Sequence, residues 1–201
     1  MREVESTVFM EDCVAAMKRY PDNYFDLAIV DPPYGIDISS NPVRQKHTKK
    51  QWDSKTPDEI YFQELVRVSK NQIIWGGNYF DLPPTQGFII WDKKQPHDFS
   101  LAMCEYAWSS FQKPAKMFRY SVLTERDKIH PTQKPVALYS WLLHNYAKEG
   151  DTILDTHLGS GSSRIAAYKG GFDFTAFEID ADYFAAQDKR FNQFKSQLTL
   201  F

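Results

Sequence analysis

Cysteine is scarce in this sequence, whose 201 residues contain only Cys13 and Cys104. Their positions show none of the paired spacings of a disulfide framework or a zinc site, so we expect neither, and no bound metal. A reducing compartment is the ordinary environment of such a chain.

Long apolar runs are missing as well. No segment approaches the length of a membrane-spanning helix, and the first residues, MREVESTVFMEDC, lack the apolar stretch of a signal peptide. These absences predict a cytoplasmic protein without membrane contact.

An excess of positive charge is also absent, since 24 lysines and arginines stand against 26 aspartates and glutamates. The sum argues against a nucleic-acid partner, but the distribution of charge matters more than the sum. Two segments that we expect to be loops are basic, residues 41–55 (NPVRQKHTKKQWDSK) and residues 112–128. Such runs are usually solvated surface and do not by themselves indicate a ligand.

What the sequence does contain is a regular alternation of strand and helix patterns. Apolar runs predict strands at 8–10, 27–30, 72–75, 88–91, 101–111, 152–154 and 174–177, and helices are expected at 14–20, 57–69, 135–146, 163–169 and 181–194. The spacing Thr56-Pro57-Asp58-Glu59 is that of a capping box. The alternation predicts an α/β fold, a mostly parallel sheet with helices on both faces, in one domain over residues 1–201.

The run LAIVDPPY at 27–34 ends an apolar strand with a carboxylate, two prolines and a tyrosine. Proline lacks an N–H and disfavours the helical region for the residue before it, so Asp31, Pro32 and Pro33 form a stiff ledge. The Asp31 carboxylate and the Pro32 carbonyl are acceptors there, and Tyr34 offers a flat face. This set suits an amino group on a planar ring, although a plain strand followed by a proline turn fits four residues as well.

A second pattern, DTILDTHLGSGSSRIAAYKGGFDFTAFEID at 151–180, places a glycine-rich turn between a strand and a helix. The first strand ends at Asp155, the turn carries Gly159-Ser160-Gly161, and the next strand ends at Glu178. Glycines let the backbone approach a ligand, and the terminal acid can accept hydrogen bonds from two ribose hydroxyls. The pattern predicts a nucleoside site.

The turn departs from two other nucleotide motifs. It lacks the third glycine of GxGxxG, because Arg164 stands there, and it lacks the GK[ST] ending of a phosphate-binding loop. Hydride transfer and nucleotide hydrolysis lose support, whereas S-adenosylmethionine, a nucleoside without a polyphosphate, fits.

Taken in order, DPPY, HPTQKP at 130–135, the glycine turn and Glu178 resemble the beta class of DNA amino-methyltransferases, in which the catalytic motif precedes the cofactor loop. The resemblance covers nearly the whole chain, including IIWGGNYF at 73–80 and CEYAW at 104–108, and is that of short members often found in phages and prophages. It implies a Rossmann-like methyltransferase fold, S-adenosyl-L-methionine as cofactor, double-stranded DNA as substrate, and a bacterial cell or phage-infected host.

The resemblance also implies roles for individual residues. The catalytic positions are Asp31, Pro32, Pro33 and Tyr34. The cofactor-binding positions are Asp12, Asp31, His130, Thr132, Lys134, Asp155, His157, Gly159, Ser160, Gly161 and Glu178. A structural capping role for His130 is an equal alternative. The family's Asp-Pro-Phe is Asp155-Thr156-His157 here, which exchanges an aromatic cofactor contact for an imidazole.

The implied reaction accounts for the DPPY ledge. The lone pair of adenine N6 is delocalised into the ring, and hydrogen bonds from its N–H groups to Asp31 and Pro32 would free it for in-line methyl transfer. The base must leave the duplex and stack on Tyr34, and phosphate contacts must support the complex. For these contacts we expect the basic side chains of residues 41–55, namely Arg44, Lys46, Lys49 and Lys50.

Three alternatives stay open. Cytosine N4 is the nearest, although family members with that acceptor more often have serine at the position of Asp31. The chain could instead be a non-catalytic DNA-binding or partner subunit, or a methyltransferase of RNA or protein, which more often has asparagine there. Small target-recognition loops are expected within 37–56 and 93–129, and the resemblance allows a homodimer. No pattern encodes the target sequence, or a role in restriction-modification, hemimethylated-site marking or regulation.

Overall fold

The structure, a computed structural model, describes residues 4–37, 53–96, 102–124 and 128–198. In these residues the chain forms eight strands: β1 Ser6–Phe9, β2 Leu27–Val30, β3 Gln72–Trp75, β4 Ile89–Asp92, β5 Cys104–Ser109, β6 Lys116–Arg119, β7 Thr152–Asp155 and β8 Asp173–Phe177. The α-helices are α1 Cys13–Met17, α2 Glu59–Val68, α3 Val136–Tyr146, α4 Ser162–Gly170 and α5 Ala181–Leu198. Among the described helices, none is long and apolar enough to span a membrane.

The strands join in one sheet in the order β1-β8-β7-β2-β3-β5-β4-β6. From β1 to β3 all neighbours are parallel. Strand β5 is antiparallel to both β3 and β4, and β6 is parallel to β4. The prediction of a mostly parallel α/β sheet is confirmed, and the reversed strand β5 brings its first residues to the edge where its neighbours end.

Helices cover both faces of the sheet because the central strands are apolar on both sides. In β2, Leu27 and Ile29 belong to one buried cluster, which includes side chains of α3 and α4. The alternate residues Ala28 and Val30 belong to a second cluster with side chains of α1 and α2. The expected two-sided covering is therefore confirmed.

Helix α2 begins two residues later than its sequence pattern predicts. Asp58 is its N-cap, and the Asp58 carboxylate accepts a hydrogen bond from the backbone N–H of Tyr61 at 3.1 Å. The predicted capping box starting at Thr56 is therefore wrong in register. Aspartate caps a helix as well as threonine does, and the buried side chains of Tyr61 and Leu65 select the turn that faces the core.

Residues 116–119 correct the expectation that the whole basic segment 112–128 is a loop, because they form the edge strand β6. Phe118 packs against the core, and the charged neighbours are tolerated because an edge strand is open on one side. The Lys116 ammonium donates to the Asn145 side-chain oxygen at 2.6 Å, and Arg119 lies 3.5 Å from the Asp92 carboxylate. These two cations therefore have protein partners.

Candidate active site

The DPPY ledge and the glycine turn lie at the same edge of the sheet. Asp31 directly follows β2, and Asp155 ends β7, which pairs with β2 in parallel. The negative charge of Asp31 also helps to raise the pKa of Asp155, so the two carboxyl groups are electrostatic neighbours. Ligands of α/β sheets bind beyond the carboxyl ends of the strands, where these groups stand.

Both oxygens of the Asp31 carboxylate have protein partners. Oδ1 accepts a hydrogen bond from the Tyr34 hydroxyl at 2.6 Å, and Oδ2 accepts one from the Lys134 ammonium. Burial raises the pKa of Asp31, and the neighbouring ammonium opposes that shift. Within the described part of the chain, no donor contacts the Pro32 carbonyl. The carboxylate is thus fixed in place, while the second acceptor of the ledge is available.

Asp53 holds the backbone directly after the two prolines of the ledge, a role that the sequence did not reveal. The buried carboxylate accepts hydrogen bonds from the backbone N–H groups of Tyr34 at 2.7 Å and Gly35 at 3.0 Å. These are the first two N–H groups after the prolines, which have none to offer. The expected rigidity of the ledge therefore has a second source besides proline.

The Tyr34 ring packs against two residues of the segment after β3. It stacks on the Tyr79 ring with centroids 5.0 Å apart and planes at 14°. Gly76 also lies against the ring, and a Cβ added there would come within 2.2 Å of Tyr34 Cε1. Tyr79 is 45% exposed. The aromatic surface beside Asp31 therefore has two rings, of which sequence analysis found one.

The glycine turn is held by hydrogen bonds to two buried carboxylates. Asp155 accepts from the Ser163 hydroxyl at 2.5 Å and from the His157 N–H at 3.0 Å. Burial nevertheless raises the pKa of Asp155 to about 7. Gly159 has a φ of +50°, and a Cβ added to Gly159 would meet only the His130 ring, at 3.7 Å. The turn thus leaves a small open space at Gly159, in the same turn that the Asp155 carboxyl group holds.

Glu178 lies at the expected place beyond β8. Its oxygens accept hydrogen bonds from the backbone N–H groups of Gly159 and Asp180, each at 2.8 Å. Burial raises the pKa of Glu178. Each oxygen keeps a further lone pair, so the carboxylate can still accept hydrogen bonds from a diol.

Asp12 and His157 occupy the neighbouring end of the site. Asp12 is the N-cap of α1 and accepts from the Ala15 N–H at 2.8 Å. The His157 ring lies edge-on to Tyr61, and its Nδ1 is 2.9 Å from the Thr156 hydroxyl. Burial lowers the pKa of His157 to about 4, so the imidazole is neutral at physiological pH. Contacts of these two residues with a cofactor stay predictions.

The HPTQKP segment forms a turn in front of α3. The His130 Nδ1 faces the Thr132 backbone N–H at 3.3 Å and the Thr132 hydroxyl at 3.1 Å, and the ring lies 4.3 Å from that of Tyr183. This geometry supports the capping alternative for His130. The ring also borders Gly159, so a ligand contact stays a prediction as well. Lys134 contacts Asp31 and Glu105, with no cofactor contact needed to explain its burial.

These groups fit the expected cofactor. Residues 155–163 contain no lysine or arginine for a polyphosphate, and the Arg190 guanidinium beside the turn donates to the Ser160 carbonyl and the Ser162 hydroxyl. Asp155 and Glu178 supply buried carboxylates suited to an ammonium group and ribose hydroxyls. Ser160 is buried, and its hydroxyl lies 3.1 Å from that of Ser162 in the first turn of α4. The donor and acceptor set therefore favours a cationic nucleoside over a nucleotide.

The four basic residues predicted to contact DNA fall in a part of the chain that the structure does not describe. Arg44, Lys46, Lys49 and Lys50 lie outside the described residues, as do parts of the recognition segments 37–56 and 93–129. Sequence analysis also missed Lys93 and Glu105, which form an ion pair with an N–O distance of 2.6 Å. A charged residue inside the aromatic strand CEYAW was the available signal, because such residues are rarely buried without a partner.

Comparison with known proteins connects this geometry to a family. Residues 90–189, about half of the chain, match the DNA methylase family model of N6 and N4 methyltransferases. The chain belongs to this DNA methylase family. The type II methyltransferase M2.MboI of Moraxella bovis is 21% identical over 92% of this chain and 87% of its own length.

Solved structures share the fold of this DNA methylase. The M1.HpyAVI structure, a complex with SAM, has a TM-score of 0.62 at 19% identity and covers 92% of this chain and 98% of its own. The cytosine-N4-specific PvuII DNA methyltransferase has a TM-score of 0.65 at 13% identity and covers 94% and 87%. The expected methyltransferase fold is confirmed, as is DNA methyltransferase activity at the level of the family. The fold is compatible with either amino acceptor.

Proposed function

We propose that this DNA methylase transfers a methyl group to the N6 amino group of an adenine flipped out of double-stranded DNA. The observation that carries the proposal is the Asp31 carboxylate, fixed by Tyr34 and Lys134 beside the glycine turn of β7. A fixed anionic acceptor next to a nucleoside site is what activation of an amino group requires.

The ledge would act on the base through its two acceptors. Asp31 Oδ1 keeps a lone pair beyond its bond to Tyr34, and the Pro32 carbonyl is available. An amino group that donates one N–H to each acceptor becomes more tetrahedral, and its lone pair turns out of the ring. As the new N–C bond forms, the methyl–sulfur bond would break to leave a neutral thioether, and the methylated nitrogen would lose one proton to water. Because no covalent intermediate is needed, neither Cys13 nor Cys104 has a role in this reaction.

The cofactor is S-adenosyl-L-methionine, which supplies an electrophilic methyl group on a sulfonium when bound. Asp155 and Glu178 are the residues that we infer hold its ammonium group and ribose hydroxyls, because they are the buried carboxylates at the ends of β7 and β8. Asp12 and the turn from His157 to Gly161 complete the inferred binding site. The His130 ring borders Gly159, and we infer that His130 and its neighbour Thr132 contribute from the turn before α3.

The flipped base would lie against the aromatic rings beside the ledge. Stacking of a base on one aromatic ring contributes about 1–3 kcal/mol, which offsets the few kcal/mol spent on leaving the duplex. Tyr34 is held in place by Tyr79 and Gly76, so its ring needs little further ordering when the base arrives. Phosphate contacts by the basic residues of segment 41–55 would add salt-dependent affinity.

Adenine is favoured over cytosine by the aspartate at position 31, since serine is more common there in cytosine-N4 enzymes of the family. The fold likeness to the cytosine-N4-specific PvuII enzyme keeps cytosine N4 as the second candidate. Both acceptors would use the same two hydrogen bonds.

The test is product analysis. Purified protein is incubated with unmethylated bacterial DNA and S-adenosyl-L-methionine carrying a tritiated methyl group, and the digested nucleosides are separated. We expect label in N6-methyldeoxyadenosine. Label in N4-methyldeoxycytidine would establish the second candidate, and no label above that of Asp31→Ala would contradict the proposal.

A further inference from the structure

Four alternating charges form a continuous chain that starts at Asp31. The Lys134 ammonium contacts the Asp31 carboxylate and lies 3.0 Å from Glu105 Oε2. The other carboxylate oxygen of Glu105 lies 2.6 Å from the Lys93 ammonium. The order is therefore negative, positive, negative, positive, and the formal sum is zero.

The register of the sheet explains why these residues meet. Asp31 follows Leu27 and Ile29 at intervals of two, so it points to the face of the sheet that α3 covers. Glu105 lies on that face because it precedes the buried Ala107 by two residues, and β5 pairs it with Trp91 of β4. Since Ala107 pairs with Trp75 at the end of β3, Glu105 projects beyond that strand.

Lys93 and Lys134 reach the same place from two other elements. Lys93 continues the alternation of Ile89 and Trp91 past the end of β4. Lys134 stands two residues before α3 and extends over Trp75, with its ammonium 5.3 Å from the ring centroid. Four separate segments thus converge on this chain of charges.

Burial makes these contacts strong. The Lys134 side chain is 3% exposed and that of Lys93 is 11% exposed. A charge so placed is costly unless it is paired, and loss of one partner leaves an uncompensated buried charge. The Lys134 ammonium also donates a hydrogen bond to the Tyr34 hydroxyl at 3.3 Å, so it contacts two members of the ledge as well as Glu105.

Each member affects the ionisation of its neighbours. Burial alone would raise the pKa of Glu105, but Lys134 and Lys93 outweigh it and lower that pKa to about 2. Burial would lower the pKa of Lys134, but Asp31 and Glu105 raise it. For Asp31, the ammonium opposes the increase in pKa caused by burial, and Glu105 adds to it.

Other ionisable groups also face Asp31. They come from its own loop and from α2, α3 and β7, and they are Tyr34, Tyr61, Tyr139 and Asp155. Each of these is neutral or negative at neutral pH. Lys134 is thus the cation in direct contact with Asp31 in the described part of the chain.

We propose that Lys134, held in place by Glu105 and Lys93, is the positioning residue that keeps Asp31 anionic and presents Asp31 Oδ1 to the target amino group. The charged Lys134 contact holds Oδ2, whereas Oδ1 accepts one neutral hydrogen bond from Tyr34 and presents its remaining lone pair to the base. The proposal rests on the proposed function, because it assigns Asp31 the task of accepting the amino N–H.

The experiment compares variants of the full chain that change one charge each. Lys134→Met removes the charge at similar length, Lys134→Arg restores it, and Glu105→Gln removes the second carboxylate. The matched control is Lys70→Met, because Lys70 pairs with Asp26 at 2.6 Å at the opposite end of β2. Single-turnover methyl transfer is measured from pH 5 to pH 9, with cofactor affinity measured by calorimetry. The carboxyl resonance of Asp31 is titrated in protein carrying carbon-13 aspartate, assigned with Asp31→Asn.

For Lys134→Met we expect a loss of about 10²-fold in the single-turnover rate at pH 7 and an acid limb displaced to higher pH. The Asp31 resonance should titrate at correspondingly higher pH, whereas cofactor affinity should be retained. Lys134→Arg should recover most of the rate. Glu105→Gln should displace the acid limb and the resonance to lower pH, because it removes a negative neighbour. Lys70→Met should match the parent.

Opposite displacements by Lys134→Met and Glu105→Gln are not produced by a general loss of structure. The proposal is overturned if the Asp31 resonance titrates at the same pH in parent and Lys134→Met, or if Glu105→Gln displaces it upward. Should Lys134→Met not fold, two measurements still test the proposal. They are the direction in which Glu105→Gln displaces the Asp31 titration and the rate retained by Lys134→Arg. Failure of the proposed function is seen separately, as a parent protein that methylates no DNA while the resonance shifts are still obtained.

Discussion

At the scale of single residues, Asp31 illustrates how a buried carboxylate can be both fixed and available. Its two oxygens are held by the Tyr34 hydroxyl and the Lys134 ammonium, and Oδ1 keeps a lone pair for the substrate. Fixed acceptors cost little reorganisation when charge develops on the substrate, which is the usual source of electrostatic catalysis.

Replacing Asp31 by alanine should remove methyl transfer without removing cofactor binding. The side chain accepts the amino N–H but is separate from the glycine turn that holds the nucleoside, so we expect the single-turnover rate to fall by about 10²–10⁴-fold. Calorimetric titration with S-adenosyl-L-methionine provides the second measurement. Equal rates for variant and parent on unmethylated DNA would show that Asp31 has another role.

Gly76 should be intolerant of a side chain for two reasons. Its φ of +71° is a left-handed conformation, and an added Cβ would lie 2.2 Å from the Tyr34 ring. Gly171→Ala is the matched control, because Gly171 has a φ of +77° and open space around it. We expect the control to lose about 1–2 kcal/mol of unfolding free energy and Gly76→Ala to lose about 1–3 kcal/mol more. Denaturant unfolding measures the loss for both variants. Equal losses would mean that the Tyr34 ring moves aside freely when Gly76 gains a side chain.

At the scale of elements, helix α2 is capped by Asp58 and not by Thr56, the residue that the sequence pattern predicts. Asp58→Ala removes the side chain that caps the helix and should cost about 1 kcal/mol of unfolding free energy. Thr56→Ala removes the residue that the sequence pattern favoured and should cost less than about 0.5 kcal/mol. Chemical denaturation of the two variants provides the comparison. A larger loss of unfolding free energy for Thr56→Ala than for Asp58→Ala would show that Thr56 caps the helix, as the capping-box pattern predicts.

Most of the elements around the site could be predicted from sequence. Strands β2, β3 and β7 are short apolar runs followed by Asp31, Gly76 and Asp155, and such runs are buried in any parallel sheet. Strand β6 could not be predicted, because Lys116 and Arg119 resemble loop residues until an edge strand is known to be there.

The site itself was only partly predictable. The ledge and the turn carry local signals, namely consecutive prolines and glycines. The ion pairs behind Asp31 carry no such signal, because Glu105 reaches Lys134 only through the antiparallel register of β5. Asp53 was missed for the same reason, since it contacts Tyr34 across a sequence separation that no local pattern spans.

At the scale of the whole molecule, Asp155 links stability to pH. Burial raises its pKa to about 7 from an ordinary 3.8. Between about pH 4 and pH 7 the unfolded chain releases this proton and the folded chain keeps it, so the stability of the cofactor-free protein falls as pH rises. Asp155→Asn should therefore raise the melting temperature at pH 8 more than at pH 5.

Thermal melting of the cofactor-free protein at both pH values measures the effect. Glu149→Gln is the control, since Glu149 is exposed and should leave the difference between the two pH values unchanged. An equal effect of Asp155→Asn at both pH values would contradict the linkage. Asparagine keeps an oxygen for the His157 N–H and can donate to the Ser163 hydroxyl, so the turn itself should persist.

The backbone contact that closes the ledge has an evolutionary consequence. The N–H of Asp37 donates to the carbonyl of Asp53 at 3.1 Å, and the Asp53 side chain anchors Tyr34. Whatever stretch of chain connects Asp37 to Asp53, both of its ends are tied to one spot, and the entropy of closing a loop grows only slowly with length. Insertions and deletions in this stretch during evolution should therefore cost little folding free energy and leave the ledge in place.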